Sequence, residues 1–271
     1  MYKFVLVTGG ANGIGLAVTQ KLMESGFKVF CADLEMYKGE QNQNIIPLVM
    51  DVTCNLSIAN AVEQIKGHTD TLLAIVNSAG IFTMGSVAEI DEKKLNKIID
   101  VNVMGMYRVN KACLPLLKGN YSRIINISSE VAQYSSAPFN GPYVISKFAV
   151  EAYSDALRRE LMLLDIPVIK IRAGALKTNM LAGVSGNFDE LLGSTKYFKK
   201  ELSKMNDMMS RELNKTTDPR LVGELVNKII NAKKPKILYR IVNSKQLKFM
   251  GAMPEKIQDK LYKKVIKGRN K

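Results

Sequence analysis

Short, continuous runs of apolar residues alternate with stretches of helical period along most of this chain, and that alternation most constrains its fold. The runs are apolar at most positions rather than at every second one, which is typical of parallel strands buried on both faces. They predict strands at Phe4–Val7, Val29–Ala32, Ile45–Met50, Leu72–Val76, Arg123–Ile127, Val168–Arg172 and Ile237–Val242. Because helices must cover both faces of such a sheet, the sequence predicts a doubly wound α/β fold.

The stretches between the runs predict the helices. Long helices are expected near Lys94–Leu117 and Tyr143–Leu164, and Asp218 with Pro219 is a good start for a helix to about Ala232. Residues 180–215 have helical spacing without a strand pattern. Because no internal repeat or low-complexity linker interrupts the chain, residues 1–271 are predicted to form a single domain.

Composition excludes several classes of protein. A hydrophobic content of 46% and a charged content of 24% are those of a globular chain, and no apolar run has the length of a membrane span. The single histidine, His68, rules out two-histidine zinc sites, so we expect no metal site and place His68 in a solvated loop. The three cysteines (Cys31, Cys54 and Cys113) form no closely spaced pair and are expected to be reduced. With no signal-peptide pattern at the N-terminus, we expect a cytoplasmic protein.

The net charge of +14 is unevenly distributed. Residues 1–190 contain 18 basic and 18 acidic residues, whereas residues 191–271 contain 21 basic and 7 acidic ones. The whole positive excess therefore lies in the C-terminal part of the chain. No nucleic-acid recognition motif accompanies these lysines, so we expect no nucleic-acid partner.

A glycine-rich turn follows the first predicted strand, in the segment Thr8–Gly15. Gly9, Gly13 and Gly15 would let the backbone turn sharply and approach a pyrophosphate at the N-terminus of the next helix. A tight turn without a ligand could use the same glycines. The carboxylate at the end of the second strand, Asp33, favours the nucleotide interpretation, because an acid about 20 residues after the turn can accept hydrogen bonds from a ribose.

The same carboxylate predicts which cofactor is bound. Asp33 would repel a 2′-phosphate, and neither Asn12 nor Leu34 supplies a cation to hold one. NAD(H) is therefore favoured over NADP(H), although Asp33 could also be a solvated acid in a loop.

Three motifs occur in order along the chain: Thr8–Gly15, Asn77-Ser78-Ala79-Gly80, and Tyr143-Val-Ile-Ser-Lys147. Together they resemble the short-chain dehydrogenase/reductase family, and the match extends from Lys3 to about Thr178. The stretch Pro138–Tyr143 and the basic C-terminus are most similar to its retinol- and hydroxysteroid-dehydrogenase-like branch. The resemblance implies a single Rossmann-like domain and an NAD(P)-dependent oxidoreductase.

Tyr143 and Lys147 are four residues apart and therefore share one face of a helix. A phenol is a poor proton acceptor at neutral pH, but a nearby ammonium group and a charged nicotinamide would lower its pKa. The resemblance gives Tyr143 the role of acid/base at the substrate oxygen. It gives Lys147 the roles of lowering the pKa of that phenol and of binding the nicotinamide ribose.

The resemblance also assigns roles to further residues. Ser129 would hold the substrate oxygen, with Ser128 as the alternative because of one extra residue before Tyr143, and Asn102 would hold a water for proton relay. Two positions depart from the family pattern, Ala173 in place of a proline and Ser78 in place of an asparagine. The implied cofactor contacts are Gly9, Asn12, Gly13, Ile14, Gly15, Asp33, Leu34, Asp51, Val52, Asn77, Ala79, Gly80, Tyr143, Lys147, Gly174 and Thr178.

The expected substrate is a lipophilic ketone or secondary alcohol, because the substrate-binding segment, about residues 179–215, is rich in methionine, which adapts to irregular apolar shapes. The same residues could instead be core contacts of two helices. A catalytically silent NAD-binding regulatory or scaffold protein is the alternative function. The resemblance also implies a homo-oligomer, a dimer or tetramer, that pairs through helices near Asn102–Leu117 and Tyr143–Leu164.

The basic extension, about residues 243–271, includes a predicted amphipathic helix that begins near Pro254. Ile257, Leu261 and Val265 recur every four residues among lysines. Two interpretations remain open. The apolar stripe packs on the body of the protein and leaves the lysines solvated, or the helix lies on anionic lipid as a peripheral membrane contact.

Overall fold

Seven parallel strands form one sheet in a computed structural model, which describes residues 3–39, 42–178, 180, 188, 190–205 and 216–267. The spatial order is β3-β2-β1-β4-β5-β6-β7. The strands are β1 (Phe4–Thr8), β2 (Lys28–Asp33), β3 (Ile45–Val49), β4 (Ala74–Asn77), β5 (Arg123–Ser129), β6 (Val168–Ala173) and β7 (Leu238–Ile241). The predicted doubly wound α/β fold is confirmed, and each predicted strand overlaps an observed one.

The strand order reverses between β1 and β4, which are hydrogen-bonded neighbours. Successive strands run outwards from β1 in one direction to β3, and from β4 in the other direction to β7. A crevice opens at the carboxyl ends of strands where the order reverses, and open α/β sheets bind their ligands in that crevice. The loops after β1 and β4 therefore mark the position for a site.

Helices cover both faces of the sheet, as the doubly apolar strands require. The longer helices are α1 (Gly13–Glu24), α2 (Asn55–Lys66), α3 (Glu92–Ile99), α4 (Met106–Cys113), α5 (Gly141–Leu161), α6 (Arg220–Asn231), α7 (Lys245–Gly251) and α8 (Glu255–Lys267). One buried apolar cluster joins the sheet to α2, α4 and α5, and the other joins its opposite face to α1 and α6.

The long helix predicted at Lys94–Leu117 is not continuous. A π-helical turn, Asp100–Gly105, separates α3 from α4, and a 3-10 turn, Leu114–Leu116, follows α4. The helix predicted at Tyr143–Leu164 is α5, which begins at Gly141 and passes into a 3-10 turn at Met162.

The predicted start of α6 needs a small correction. Pro219 precedes the helix as its N-cap rather than being its first residue, and the Asp218 carboxylate accepts the backbone N–H of Arg220 at 2.8 Å. Within the segment 179–215, residues 190–194 and 199–205 are helical, and most of the others lie outside the described residues.

Helix α8 packs on the protein by a face that its sequence pattern does not indicate. Gln258 and Ile266 are buried, whereas Ile257 and Val265 are 46% and 49% exposed. The helix therefore packs on the body of the protein, but the predicted stripe is not its buried face: Ile257 and Val265 are exposed, and Leu261 is only partly buried. No helix in the described part of the chain is both long and apolar enough to cross a bilayer.

The remaining single-residue expectations concern His68 and the cysteines. His68 is exposed in the loop after α2 and contacts the edge of the Phe30 ring. The cysteines are all free thiols, two of them (Cys31 and Cys113) buried. Among the described residues, no group of three or more His, Cys, Asp or Glu side chains is placed to hold a metal ion.

Candidate active site

The glycine-rich turn after β1 packs directly on the loop after β4. Gly9 has a φ of 64°, and a Cβ atom there would lie 2.9 Å from the backbone of Ala79. At Gly15 a Cβ atom would clash with the carbonyl oxygen of Gly9. The Thr8 hydroxyl accepts the backbone N–H groups of Ser78 and Ala79, at 3.2 and 3.1 Å. Only glycines allow this close approach, and it leaves the N-terminus of α1, which includes Ile14, open at the crevice.

Asp33 lies beside the same turn, at the end of β2. One carboxylate oxygen accepts the backbone N–H of Ala11 at 3.0 Å, and the other accepts that of Leu34 at 2.8 Å. These bonds hold the carboxylate at the crevice. At this corner Asn12 and Leu34 supply no positive charge, and the Leu34 side chain is exposed.

Side-chain contacts also hold the loop after β3 in place. The Asp51 carboxylate accepts the backbone N–H and the hydroxyl of Thr53, at 2.8 and 2.7 Å. Val52 is buried, and a Cβ atom on Gly105 of the π-helical turn would lie 2.7 Å from its side chain. This contact fixes the loop against the turn that carries Asn102.

Asn77 is buried, and its side chain is part of a polar network beneath the crevice. Its amide nitrogen donates to the side-chain oxygens of Asn110 and Asn126, at 2.8 and 2.9 Å. Asn126 in turn donates to the Ser154 hydroxyl at 2.9 Å, which ties β4 and β5 to α5. The side chain of Asn77, the first residue of the motif Asn77–Gly80, therefore points into the protein interior.

Asn102 lies in the π-helical turn, and its side chain holds the loop after β4. Its oxygen accepts the N–H of Ile81 at 2.8 Å, and its nitrogen donates to the Ile81 carbonyl and the Ser146 hydroxyl, both at 3.0 Å. A Cβ atom on Gly80 would lie 3.2 Å from the Asn102 oxygen. π-Helical turns are rare and are often found at functional sites.

Ser129, Tyr143 and Lys147 meet at the carboxyl end of β5. The Ser129 hydroxyl lies beside the Tyr143 phenol, close enough to lower its pKa. The Lys147 ammonium donates to the Ile127 carbonyl at 3.1 Å and lies 5.7 Å from the centre of the Tyr143 ring. The one-turn spacing in α5 thus brings an acid/base pair to the serine that ends β5.

Burial sets the protonation of this pair. It raises the pKa of Tyr143 to about 12, against the smaller opposite effect of the neighbouring Ser129 hydroxyl. Burial lowers the pKa of Lys147 to about 8, against the smaller opposite effect of the Glu151 carboxylate. The lowering of the Tyr143 pKa by Lys147 together with a charged nicotinamide stays a prediction, and in the protein alone desolvation of the phenol is the larger effect.

Ser128 lies on the other side of β5 from Tyr143. Its hydroxyl is buried and faces Glu151, whose carboxylate binds Arg172 at 3.0 Å and Lys170 at 2.9 Å. Burial would raise the pKa of Glu151, but the neighbouring Arg172, Lys170 and Ser128 side chains together lower it. Of the two serines that the sequence left open, Ser129 is the one that contacts the phenol.

The segment after β6 returns to the glycine-rich turn. A Cβ atom on Gly13 would lie 3.3 Å from the Thr178 methyl group. The glycine-rich turn and the segment after β6 are therefore in contact at this point. Gly174 lies against the backbone of Val242, and a Cβ atom on Gly174 would clash with the Val242 carbonyl oxygen. The C-terminal part of the chain therefore packs on the segment that contains Gly174 and Thr178.

A family comparison agrees with this geometry: residues 3–187 match the family model described as short chain dehydrogenase. The chain belongs to the short-chain dehydrogenase family. Among curated relatives, retinol dehydrogenase 16 of Mus musculus is 31% identical over 80% of this chain and 75% of its own length. The NADPH-dependent 3-dehydrocapnine reductase of Ornithobacterium rhinotracheale is 31% identical over 98% of each chain. A solved short-chain dehydrogenase from Streptomyces avermitilis has a TM-score of 0.74 at 20% identity, covering 100% of this chain and 99% of that one. The predicted retinol-dehydrogenase-like branch is confirmed.

Several residues of this short-chain dehydrogenase contribute to the site although sequence reasoning passed over them. Thr8 joins β1 to β4, Ser146 fixes Asn102, and the Phe82 ring packs on Tyr143 with their centres 4.9 Å apart. Glu130, directly after Ser129, is buried and accepts the backbone N–H of Ser244 at 2.6 Å. A polar residue directly beside a motif residue was the available signal for Thr8, Ser146 and Glu130, and no local signal marked Phe82.

Proposed function

We propose that this chain is an NAD(H)-dependent oxidoreductase that interconverts a lipophilic secondary alcohol and its ketone. The observation that supports it best is the convergence of Ser129, Tyr143 and Lys147 at the carboxyl end of β5. Homologues named dehydrogenases and reductases are alcohol and ketone oxidoreductases in general. The proposal adds the cofactor, the substrate class and the role of each residue.

The crevice suits a dinucleotide because of its shape and its donors. Side chains at Gly9 and Gly15 would fill the space at the turn, and the N-terminus of α1 faces an anion with unpaired backbone N–H groups. Asp33 would accept hydrogen bonds from the adenosine ribose, and Lys147 would reach the nicotinamide ribose. When bound there, NAD(H) supplies or accepts the hydride.

In the reduction direction, the chain's own residues bind the carbonyl oxygen and protonate it. Ser129 donates a hydrogen bond to that oxygen, and Tyr143 transfers its phenolic proton to it. Because burial raises the pKa of Tyr143 to about 12, the phenol carries its proton at neutral pH and is ready to donate it. Lys147 stabilises the phenolate that forms, and Asn102 holds the loop around Ile81 beside the reacting groups.

The proposed preference for NAD(H) rests on the corner at Asp33. A carboxylate beside the 2′ position repels a phosphate there, and Asn12 and Leu34 offer nothing to neutralise it. One relative is named NADPH-dependent, so the preference is a property to be measured for this chain.

A lipophilic substrate suits the surroundings of Tyr143. Phe82 packs on its ring and belongs to an apolar cluster with Phe139, Phe198 and the fully buried Leu202. A ketone with a large apolar part would replace water on these surfaces. The names of the relatives, which refer to retinol and to 3-dehydrocapnine, accord with that class.

We propose three further properties of the protein in the cell. It acts in the cytoplasm, in keeping with three free thiols, and without a nucleic-acid partner. It forms a homo-oligomer through α4 and α5. Its helix α8 binds the surface of an anionic membrane, because Ile257 and Val265 of this helix are exposed among lysines.

The test is a panel of ketones and secondary alcohols assayed by NADH absorbance, with NADPH in parallel. Tyr143→Phe should lower the rate at least about a hundredfold, the contribution of a positioned proton donor, while NADH affinity stays within a few-fold. Ser129→Ala should lower the rate more than its matched control Ser128→Ala. Turnover by Tyr143→Phe above a tenth of the wild-type rate would contradict the assignment, and a silent scaffold would bind NADH without turning over any substrate. A wild-type preference for NADPH would contradict the cofactor proposal.

A further inference from the structure

A cleft of about 630 Å³ lies between α8 and the loop that joins β5 to α5. Its apolar lining comes from Phe139, Phe198 and Ile266, and its charged lining includes Asp259 and Lys263. The volume is within the range of small-molecule sites, about 300–1,000 Å³. None of the proposed catalytic residues lines it.

Helix α8 is held across the cleft at both ends. At its start the Ser135 hydroxyl donates to the Glu255 carboxylate at 3.3 Å, and at its end the Lys204 ammonium donates to the Lys267 carbonyl at 3.0 Å. Between them, the buried Gln258 donates from its side-chain amide to the Met253 carbonyl at 2.8 Å. The cleft is thus closed on one side by a wall that the fold holds in place.

One apolar cluster includes side chains of the cleft and a side chain that packs on the reacting centre. The Phe139 and Phe198 rings pack edge to face with their centres 5.5 Å apart. Both belong to the same apolar cluster as Phe82, which packs on Tyr143. A molecule whose carbonyl lies at Tyr143 and whose apolar part lies in the cleft would therefore cross this cluster.

Phe139 has a strained backbone at this position. Its φ is 65°, a value that bulky residues rarely adopt. The Gly85 N–H binds its carbonyl at 2.8 Å, and the contact with Phe198 fixes its ring. Such strain persists only where the surroundings enforce it, and it concentrates at functional sites. Here it turns an aromatic ring towards the cleft.

We propose that this cleft binds the aliphatic chain of the substrate, so that the substrate is an amphiphile with a ketone or secondary alcohol at one end of a long chain. The inference rests on the proposed function for the position of the carbonyl. The rings of Phe139 and Phe198 and the Ile266 side chain would contact the chain. The exposed charges of Asp259 and Lys263 suit an amphiphile better than a pure hydrocarbon.

The first experiment measures binding and needs no turnover. Laurdan and Prodan are fluorescent ketones with the same ring system, and they differ only in the length of the acyl chain. We expect Laurdan, below its aggregation concentration, to bind the protein at least about tenfold more tightly than Prodan does. Each buried methylene group raises the affinity by about fourfold. Equal affinity for the two probes would overturn the proposal.

Two aspartate substitutions on α8 form a matched pair. Ile266→Asp faces the cleft and should remove the advantage of Laurdan, whereas Ile257→Asp, on the outward face of the helix, should preserve it. If both variants lost the advantage of Laurdan equally, the acyl chain would bind outside the cleft and the proposal would be overturned. If Ile266→Asp fails to fold, as judged by NADH binding, Ser136→Trp fills the cleft from an exposed position and should give the same loss.

The second experiment follows kcat/KM for methyl ketones of increasing chain length. The wild-type value should rise by about fourfold per methylene once the chain reaches the cleft. In Ile266→Asp the rise should flatten, whereas in Ile257→Asp it should match that of the wild type. Laurdan binding without turnover of any ketone would contradict the proposed function and leave the cleft assignment supported, so the two failures are distinguishable.

Discussion

At the scale of single residues, Lys147 shows how the site opposes stability. Its ammonium is buried in α5, and burial lowers its pKa from the ordinary 10.5 to about 8. Below pH 8 the lysine is charged in both the folded and the unfolded chain, so folding carries the full cost of burying that charge. Between about pH 8 and 10.5 the folded state loses its proton first, so the cost falls as pH rises.

Lys147→Met should therefore stabilise the protein while abolishing activity. We expect the free energy of unfolding at pH 7 to rise by about 1–3 kcal/mol, less than the full cost because the Ile127 carbonyl loses its donor. The gain should shrink towards zero at pH 10. Urea unfolding of the wild type and the variant at both pH values measures it, and a gain that is as large at pH 10 as at pH 7 would contradict the account.

The types and spacing of the site residues could be predicted from the sequence, but their protonation could not. Four-residue spacing places Tyr143 and Lys147 on one helix face whatever the tertiary structure. Their pKa values also depend on desolvation by residues distant in the chain, such as Phe82, which raises the pKa of Tyr143 and has no signature in the local sequence. The choice between Ser128 and Ser129 likewise required the side of β5 on which each hydroxyl lies.

At the scale of elements, the strands were predictable because apolar runs buried on both faces have a strong local signature. The π-helical turn at Asp100–Gly105 was not, since it arises where Asn102 binds the loop after β4 and Gly105 meets Val52. The orientation of α8 could not be predicted from the sequence either. A stripe that recurs every four residues identifies an apolar face, but the side on which the body of the protein lies is decided by Gln258 and Ile266.

The surface of α4 and α5 carries exposed apolar side chains that suit an interface. Ile145 and Phe148 are 46% and 44% exposed on α5, and Tyr107 is 39% exposed on the adjoining α4. We expect the wild type to sediment as a dimer or tetramer at micromolar concentration. Phe148→Glu should shift the protein towards smaller assemblies, because pairing would bury an unpaired charge in the interface. Leu221→Glu, on α6 at the other face of the sheet, is the matched control with 40% exposure. A monomeric wild type, or equal effects of the two variants, would refute pairing through α5.

At the scale of the whole molecule, charge and apolar surface coincide in the C-terminal part of the chain. The excess of 14 positive charges lies in residues 191–271, and this region includes α8. Ile257 and Val265 are exposed on that helix, and Leu261 lies between them partly buried. The opposite face closes the cleft beside Phe198, so a membrane under α8 would lie next to the proposed chain-binding site.

Helix α8 should therefore attach the protein to anionic membranes by two additive effects. Lysines near an anionic surface contribute about 1 kcal/mol each, and a valine side chain that enters the interface contributes about 1.5–3 kcal/mol. We expect co-sedimentation with phosphatidylcholine vesicles that contain phosphatidylserine, release at high salt, and little binding to phosphatidylcholine alone. Val265→Asp, at a position 49% exposed on α8, should weaken binding by about tenfold or more, whereas the matched control Leu163→Asp, which is 79% exposed outside α8, should bind as the wild type does. Recovery of the wild type in the supernatant with both lipids at low salt would mean that Ile257 and Val265 have another partner, and the lysines would then act only as a solvated face.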